Sequence, residues 1–346
     1  MIWFLCRKGQ QPMKKLKWGV LSTANIGVAK VIPAMQCNAR CEVVALAGRD
    51  FDRARNWADR LGIRKAYGSY AELLEDDEIE AVYNPLPNHL HVPWTLKAIE
   101  AGKHVLCEKP LALSADEAAS LNDASVAHKR LVLEAFMVRH HPQWLRSREL
   151  IRSGVLGRIQ GVQGVFAYCN TDPQNIRNQP DIGGGGLMDI GSYCVMASRY
   201  VFAAEPLRVV ALMDRDPAMG IDRLTSCLLD YGSGRQASFI CGTQTSFSQG
   251  FRVFGELGGI QLAQPFKSLP EETVSLILHR GENQQVEETF PPCNQYTLQA
   301  DTVSRVFSGE IKPEFSLQDA ILNMRVIDAV RLSADSGGWV KLAGGR

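Results

Sequence analysis

Two short stretches of this chain carry residue types that can move a proton. The segment Glu108–Pro110 stands where a strand is predicted to end, and in it Lys109 follows a carboxylate. Four glycines, residues 183–186, open a predicted helix on which Asp189 and Tyr193 lie one turn apart on the same face. A lysine, a tyrosine and an aspartate that converge beside a nucleotide-binding fold indicate proton transfer coupled to hydride transfer.

Each of these residues also has an ordinary structural explanation. A tyrosine in an apolar helix usually packs in the core, and a lysine at a strand end is usually solvated. Glu108 is expected to be a structural partner for the backbone or for Lys109 rather than an acid catalyst. Arg177, in the loop before the glycines, is a candidate substrate contact, whereas His140 and His141 suit packing or a turn, and no metal site is predicted.

Length and composition limit what the chain can be. Its 346 residues exceed one ordinary core, which predicts two domains, 14–138 and 139–346, preceded by a disordered extension over residues 1–13 or by a natural start at Met13. A net charge of +1 gives no electrostatic footprint for nucleic acid, and no apolar run approaches the roughly 20 residues that span a bilayer. Nine cysteines without a Cys-x-x-Cys motif indicate buried free thiols in a reducing compartment, so we expect a cytoplasmic protein.

The first half of the chain alternates short apolar runs with helical patterns, the first helix being predicted over residues 25–37. The predicted strands include residues 16–21, 42–47, 79–83, 104–107 and 131–136. Short connections between these elements predict an α/β fold with a Rossmann-type, doubly wound parallel sheet.

After about residue 140 longer strands dominate, and two helices over residues 295–307 and 317–333 close the chain. This pattern predicts a C-terminal α+β domain around a large open, mainly antiparallel sheet. The helices are too few to cover both faces of that sheet. We therefore expect one face to be free for self-association into a homodimer or homotetramer.

The loop after the first strand is a candidate phosphate-binding turn. The dinucleotide fingerprint Gly-x-Gly-x-x-Gly falls on Ser22, Ala24 and Gly27, so only its third position is glycine. Serine and alanine are small enough for a phosphate to approach the backbone at the helix N-terminus; the alternative is a plain tight turn. The cofactor contacts expected from this loop are Ser22, Thr23, Ala24, Asn25, Ile26 and Gly27.

The end of the second strand bears on the choice between NADP and NAD. Gly48 and Arg49 stand where an acidic residue would bind the ribose hydroxyl of NAD. A guanidinium binds a 2′-phosphate in bidentate fashion, which favours NADP. The alternative is that Arg49 is a solvated surface charge and that Asp50 binds the hydroxyl.

In their order and spacing these motifs resemble the Gfo/Idh/MocA family, over nearly all of residues 15–340. The most specific segments are the turn Pro87–His91, the segment Glu108–Pro110 and the segment Gly185–Gly191. The resemblance implies a Rossmann domain followed by a domain with an open antiparallel sheet that is often used for oligomer contacts. It also implies nicotinamide-dependent oxidation or reduction of sugars and related alcohols.

The tyrosine at position 193 is similar to the branch of the family that contains glucose–fructose oxidoreductase, D-xylose 1-dehydrogenase and dimeric dihydrodiol dehydrogenase. That resemblance implies Lys109 and Tyr193 as the catalytic pair, with NADP as the usual cofactor. We add Asp189 to the catalytic candidates, and His91 is expected either to contact the cofactor or to shape its turn. The further expected cofactor contacts are Arg49, Pro87, Asn88, His91, Glu108 and Lys109, and the expected substrate contacts are Lys109, Arg177, Asp189 and Tyr193.

Oxidation of an alcohol releases a proton that a protein group must accept. A free tyrosine has a pKa of about 10, and a neighbouring ammonium such as Lys109 is expected to lower the pKa of Tyr193. The sequence thus predicts an NADP-dependent oxidoreductase of a pyranose sugar or a similar polyhydroxylated or cyclic alcohol. The alternatives are a reductase of a carbonyl or dicarbonyl compound and a non-catalytic NADP sensor on the same fold.

Overall fold

Six parallel strands form the sheet of the first half of the molecule. The computed structural model describes residues 14–281 and 284–342, so the extension predicted over residues 1–13 lies outside the described residues. The strands are β1 (Leu16–Leu21), β2 (Cys41–Ala47), β3 (Lys65–Tyr67), β4 (Ala81–Asn84), β5 (His104–Cys107) and β6 (Val132–Glu134). Their order, β3-β2-β1-β4-β5-β6, confirms the predicted doubly wound sheet.

The helices of this half begin and end at recognisable capping residues. Asp50 accepts a hydrogen bond from the Arg53 amide at 3.0 Å, and Gly62 ends the same helix with a φ of +66°. The first predicted helix differs from expectation, because it contains a π-helical turn over Gly27–Val31. The α-helices are α1 (Ile32–Gln36), α2 (Phe51–Leu61), α3 (Tyr70–Leu74), α4 (His91–Glu100), α5 (Ala115–Ala119) and α6 (Leu121–His128).

A nine-stranded sheet dominates the second half, in the order β14-β13-β12-β11-β7-β10-β9-β8-β15. Among these described strands the β7–β10 pair is parallel and the other pairs are antiparallel, which confirms a mainly antiparallel sheet. The elements are α7 (Pro142–Arg152), β7 (Ile159–Cys169), α8 (Ser192–Phe202), β8 (Arg208–Arg215), β9 (Asp222–Gly232), β10 (Arg235–Gly242), β11 (Gln244–Gly255), β12 (Gly258–Leu262), β13 (Val274–Arg280), β14 (Gln284–Phe290), α9 (Gln295–Phe307), α10 (Leu317–Ser336) and β15 (Val340–Lys341).

The two faces of the nine-stranded sheet have different surroundings. Helices α8 and α10 pack on one face, where Val209 and Leu229 are fully buried. On the opposite face Leu212 is 78% exposed, and Leu228 and Ile240 are each 48% exposed. We call the surface that contains Leu212, Leu228 and Ile240 the open sheet face. Its exposure confirms the prediction that one face of the sheet is left uncovered by the described chain.

Helix α9 joins the core of the other sheet. Val303 and Phe307 are buried in the same apolar cluster as Trp18 and Ile32, and the rings of Trp18 and Phe307 lie 5.7 Å apart. The Sγ of Cys41 on β2 also lies 3.2 Å from the Ser304 hydroxyl on α9. The chain therefore returns to the first sheet after completing most of the second.

The described residues include eight free cysteines, of which Cys37 and Cys169 are exposed, so the expectation of buried thiols is wrong for these two. Within the same residues no cluster of His, Cys, Asp and Glu has the arrangement of a metal site. None of the described helices combines the length and the apolar character that crossing a bilayer requires.

Candidate active site

The glycine run positions the start of the helix that carries Asp189 and Tyr193. Leu187–Gly191 forms a π-helical turn that leads into α8, and the Leu187 amide donates to Asp222 Oδ2 at 2.6 Å. Gly185 has a φ of +115°, and a Cβ at this position would overlap Asp222 Oδ1. Glycine is required here because it lets the buried Asp222 carboxylate approach and hold the first turn.

Lys109 connects the two halves of the molecule at the carboxyl end of β5. Its Nζ donates to the backbone oxygen of Asp189 at 2.6 Å and to Asp189 Oδ1 at 3.1 Å. The same nitrogen lies 4.9 Å from the centroid of the Tyr193 ring. Lys109 therefore contacts both of the other residues predicted to be catalytic.

Asp189 is a carboxylate whose side chain is 15% exposed and which has three donors. Besides Lys109, Arg177 Nε lies 3.2 Å from Oδ2 and the Tyr168 hydroxyl donates to Oδ2 at 2.6 Å. Burial would raise the pKa of Asp189, but the charges of Lys109 and Arg177 and the bond from Tyr168 hold it well below its usual range. Asp189 is therefore a permanent anion that fixes the positions of two cations.

Tyr193 is only 5% exposed, and its hydroxyl donates to Met137 Sδ at 3.4 Å rather than to a charged group. Burial raises the pKa of Tyr193 well above 10, and the neighbouring Tyr296, Glu108 and Asp189 raise it further. The expectation that Lys109 lowers this pKa is therefore wrong for this structure. The reason is that Lys109 faces the aromatic ring and gives its hydrogen bonds to Asp189.

Glu108, the neighbour of Lys109 in the sequence, has a different partner. The Tyr83 hydroxyl donates to Glu108 Oε1 at 2.7 Å, and the Lys109 amide lies 3.4 Å from Oε2. Burial raises the pKa of Glu108, and the bond from Tyr83 and the charge of Lys109 only partly oppose that effect. These bonds agree with the structural role expected for Glu108, while its cofactor contact remains a prediction.

The loop after β1 has a backbone that fits a dinucleotide phosphate. Ser22 takes the place of the first fingerprint glycine with a φ of +95°, in the region that favours glycine. Its Oγ accepts from the Ala24 amide at 3.2 Å, which tightens the turn. Around it Thr23, Ala24 and Ile26 are half-buried, Asn25 is exposed and Gly27 is buried. Small side chains at a helix start, at the carboxyl end of a central strand, fit a pyrophosphate.

The residues after β2 separate the two alternatives for the ribose. Asp50 Oδ1 is already engaged, because it accepts from the Arg53 amide and caps α2. Arg49 is exposed, and it lies next to the Tyr70 hydroxyl, where it opposes the increase in the pKa of Tyr70 that burial causes. An exposed guanidinium beside a carboxylate that already caps a helix favours a phosphate ligand over a ribose hydroxyl.

The turn after β4 contacts the glycine run of the second half. Pro87 precedes a short 3-10 turn, and Asn88 Nδ2 donates to the Gly183 backbone oxygen at 2.8 Å. His91 is 1% exposed, and its two ring nitrogens lie 2.8 Å from Pro110 O and 2.7 Å from Leu86 O. The buried ring therefore shapes the turn, and a cofactor contact by His91 stays a prediction.

Two site residues escaped the sequence interpretation. Tyr168 at the end of β7 donates to Asp189, and Tyr296 on α9 is one of the groups that raise the pKa of Tyr193. Both belong to elements that are distant in sequence from Lys109, so no spacing rule connects them to the motif. The available signal was a tyrosine at a strand end beside the loop that holds Arg177.

Both halves of the chain match models of known protein families. Residues 16–136 match the oxidoreductase family with an NAD-binding Rossmann fold, and residues 144–261 match the GFO/IDH/MocA C-terminal domain.

Individual proteins are similar over almost the whole chain. An uncharacterized oxidoreductase of Rhizobium meliloti is 45% identical over 94% of this chain and 99% of its own length. D-xylose 1-dehydrogenase (NADP(+)) 2 of Haloferax volcanii is 38% identical over 94% of this chain and 100% of its own. A 3-ketoreductase from Actinomadura kijaniata, crystallised with NADP and TDP-benzene, has a TM-score of 0.86 at 28% identity, over 92% of this chain and 98% of its own.

Proposed function

Because the chain belongs to the Gfo/Idh/MocA family of oxidoreductases, we propose that it transfers a hydride between NADP and a pyranose sugar or a similar polyhydroxylated or cyclic alcohol. The observation that carries the proposal is the position of Lys109, whose Nζ bonds to Asp189 and also lies over the ring of Tyr193. The NADP(+)-dependent D-xylose dehydrogenase among the relatives supports both the cofactor and the class of substrate.

Bound NADP would accept or supply the hydride at its nicotinamide ring. In our proposal the Lys109 ammonium hydrogen-bonds the reacting oxygen, and Tyr193 donates or accepts the proton. Asp189 holds Lys109 at 3.1 Å and Arg177 at 3.2 Å, so both cations keep a fixed direction. The remaining N–H donors of Arg177 and Lys109 suit the adjacent hydroxyls of a polyol. A bound substrate without these hydroxyls would leave the donors unpaired.

The raised pKa of Tyr193 bears on the direction of the reaction. A neutral phenol can donate a proton to the alkoxide that forms when a ketone is reduced. This observation favours a second candidate, reduction of a ketosugar, and the similar 3-ketoreductase supports it. In the oxidative direction the phenol must first lose its proton, which its raised pKa opposes, so the buried phenol suits the reductive direction better.

Initial rates in both directions test the proposal. NADP reduction is measured across aldoses, inositols and trans-diols, and NADPH oxidation across the corresponding ketones and dicarbonyl compounds. We expect turnover with at least one sugar or sugar ketone, and its loss in Tyr193→Phe. Binding of NADP without turnover on any member of the panel would instead support a sensor.

The preference for NADP is proposed from Arg49. Loss of a charge-assisted phosphate contact costs about 1.5–3 kcal/mol, so Arg49→Ala should weaken NADP binding about tenfold or more. Binding of NAD should change little, and Arg53→Ala, a second exposed arginine at the start of α2, is the matched control. Equal losses for NADP and NAD would show that Arg49 has a structural role.

We also propose that the open sheet face joins two copies of the chain, in a homodimer or a homotetramer. Exposed Leu212, Leu228 and Ile240 lie on adjoining strands of one sheet, and contiguous apolar surface of this kind is typical of interfaces. Sedimentation should show a dimer or tetramer that Ile240→Arg dissociates. Leu332→Arg, at an exposed leucine on α10, should leave the assembly intact.

A further inference from the structure

A second polar cavity lies at the carboxyl end of α8, whereas the candidate active site lies at its start. Tyr193 is the second residue of α8 and Arg199 is the eighth, so about 9 Å of helix separates them. The cavity has a volume of about 680 Å³, within the range of small-molecule sites. Its ionic residues form the arginine pocket: Arg139, Arg148, Arg152, Arg199, Arg235, Glu205, Glu314 and Asp319.

The floor of the arginine pocket is a buried ion network. Arg199 contacts Glu205 through two bonds of 2.7 Å and Asp319 through one of 2.9 Å. Arg139 also contacts Asp319, at 2.7 Å. The side chains of Arg139 and Arg199 are each 5% exposed, so these charges are largely removed from water. Two arginines and two carboxylates balance one another at this level.

The rim of the pocket has an excess of positive charge. Arg148 and Arg152 share one carboxylate, Glu314, and the Arg152 contact is long at 3.8 Å. Arg235 has no carboxylate partner among the described residues; it donates to the backbone oxygens of Tyr231 and Gly232. Five guanidinium groups thus face three carboxylates, which leaves a surplus of two positive charges.

Two further features favour an anion in the pocket. Helix α10 has 20 residues, and its N-cap residue Ser316 lines the cavity but gives no side-chain hydrogen bond to the first turn. The helix therefore presents amides and the positive end of its dipole there. In addition, Arg139 Nε is buried and has no hydrogen-bond partner within the described residues. A network that served stability alone would be expected to pair these groups.

We propose that the arginine pocket binds a small dianion of the phosphate-monoester class. A dianion neutralises the surplus of two charges, and its planar oxygen pairs match the bidentate geometry of Arg235 and Arg152. The ligand sits apart from Lys109 and Asp189, so the pocket is a second site and not a part of the substrate site. Nothing in the binding step requires hydride transfer.

Inorganic phosphate is the probe. The NADP-saturated enzyme is titrated with phosphate at constant ionic strength, and the melting temperature is followed, so that the cofactor's own phosphate sites are filled. We expect a saturable rise in melting temperature, and in Arg235→Gln a half-saturation point about tenfold or more higher. Arg223→Gln, at an arginine on the opposite end of β9 that pairs with Asp214, is the charge-matched control and should behave as wild type.

Unchanged NADP affinity in Arg235→Gln establishes that the variant is folded. The proposal is overturned by a melting temperature that phosphate does not shift in a saturable way, or by equal effects of Arg235→Gln and Arg223→Gln. It is also overturned if Arg177→Gln abolishes the phosphate effect and Arg235→Gln does not, because the anion would then occupy the candidate active site.

Discussion

Lys109 has two partly buried carboxyl neighbours with opposite properties: Asp189, which its ammonium contacts, and Glu108, which its backbone amide contacts. On one side Asp189 receives Lys109, Arg177 and the Tyr168 hydroxyl, and its pKa is held well below the usual range despite burial. On the other side Glu108 receives the Tyr83 hydroxyl, and burial raises its pKa. Each carboxyl has a phenol partner, so the phenol does not explain the difference. Direct contact with two cations decides that Asp189 stays ionised.

Lys109 is thus held in place by one ionised carboxylate and not by two. Asp189 supplies the compensating charge and the direction of the Lys109 side chain. Glu108, whose pKa is raised, packs against this region and accepts a hydrogen bond from the Lys109 amide, but it attracts the Lys109 ammonium less than Asp189 does. The Lys109 ammonium therefore lies against Asp189 and the ring of Tyr193, where the proposed reaction takes place.

The largest effect is expected from the pair on the Asp189 side. Tyr193→Phe keeps the ring and its packing but removes the hydroxyl, so turnover should fall by roughly 10²–10⁴-fold. NADP affinity and melting temperature should change little. Lys109→Met should also abolish most turnover, and the double variant should be far from additive because the two groups act as a unit. Near wild-type turnover in Tyr193→Phe would assign the proton to Lys109 or Asp189.

Replacing each carboxyl with its isosteric amide tests whether Asp189 and Glu108 have different roles. Asp189→Asn removes the anion between Lys109 and Arg177, and turnover should fall about 10²-fold because both cations lose their fixed direction. Glu108→Gln still accepts the Tyr83 bond and should cost less than about tenfold. Steady-state kinetics measure both, with NADP affinity as the check on folding. Equal losses in the two variants would contradict the assignment of distinct roles.

The two phenols should differ in their effect on stability. Tyr83→Phe leaves a buried carboxyl without its donor and should lower the free energy of unfolding by about 1–3 kcal/mol. Tyr168→Phe leaves Asp189 with Lys109 and Arg177 and should cost about 0.5–1.5 kcal/mol. Chemical denaturation of the two variants in parallel measures the difference, and the reverse order would show that the cations do not compensate for Tyr168.

The smallest effect is the pH dependence of stability. The folded pKa of Asp189 is lowered, so its contribution is present above its unfolded pKa of about 3.9 and is lost as the pH falls through the folded value. The folded pKa of Glu108 is raised, so its ionisation costs stability as the pH rises above about 4.3. Relative to wild type, Glu108→Gln should gain melting temperature between pH 4 and pH 7, by about 2–4 °C, whereas the loss in Asp189→Asn should develop below about pH 4, as the pH rises, and stay constant above it. Parallel curves for the two variants would contradict the opposite shifts.

The regular elements of the first half could be predicted because local signals define them. Residues 16–21 form a strand with the bounds that their apolar run predicts, and the helix over residues 51–61 ends at Gly62, a typical helix-ending residue. The fold of the second half was predictable as a class, but the pairing of β7 with β10 was not, because distant segments compete for each sheet edge. The contacts of the site are equally non-local. The four-residue spacing predicted that Asp189 and Tyr193 share a helix face. The bond from Tyr168 and the direction of the Tyr193 hydroxyl could not be predicted, because they depend on packing.

The return of α9 to the first sheet makes the nucleotide half of this protein discontinuous in the gene. A fragment ending near residue 138 would lack Val303 and Phe307 and would expose the apolar faces of Trp18 and Ile32 that they cover. A chimera that exchanges only the first 138 residues with a relative would join surfaces that did not evolve together. Recombination between relatives should therefore succeed when residues 295–307 travel with the first half, and modularity in this protein follows the two cores rather than the order of the chain.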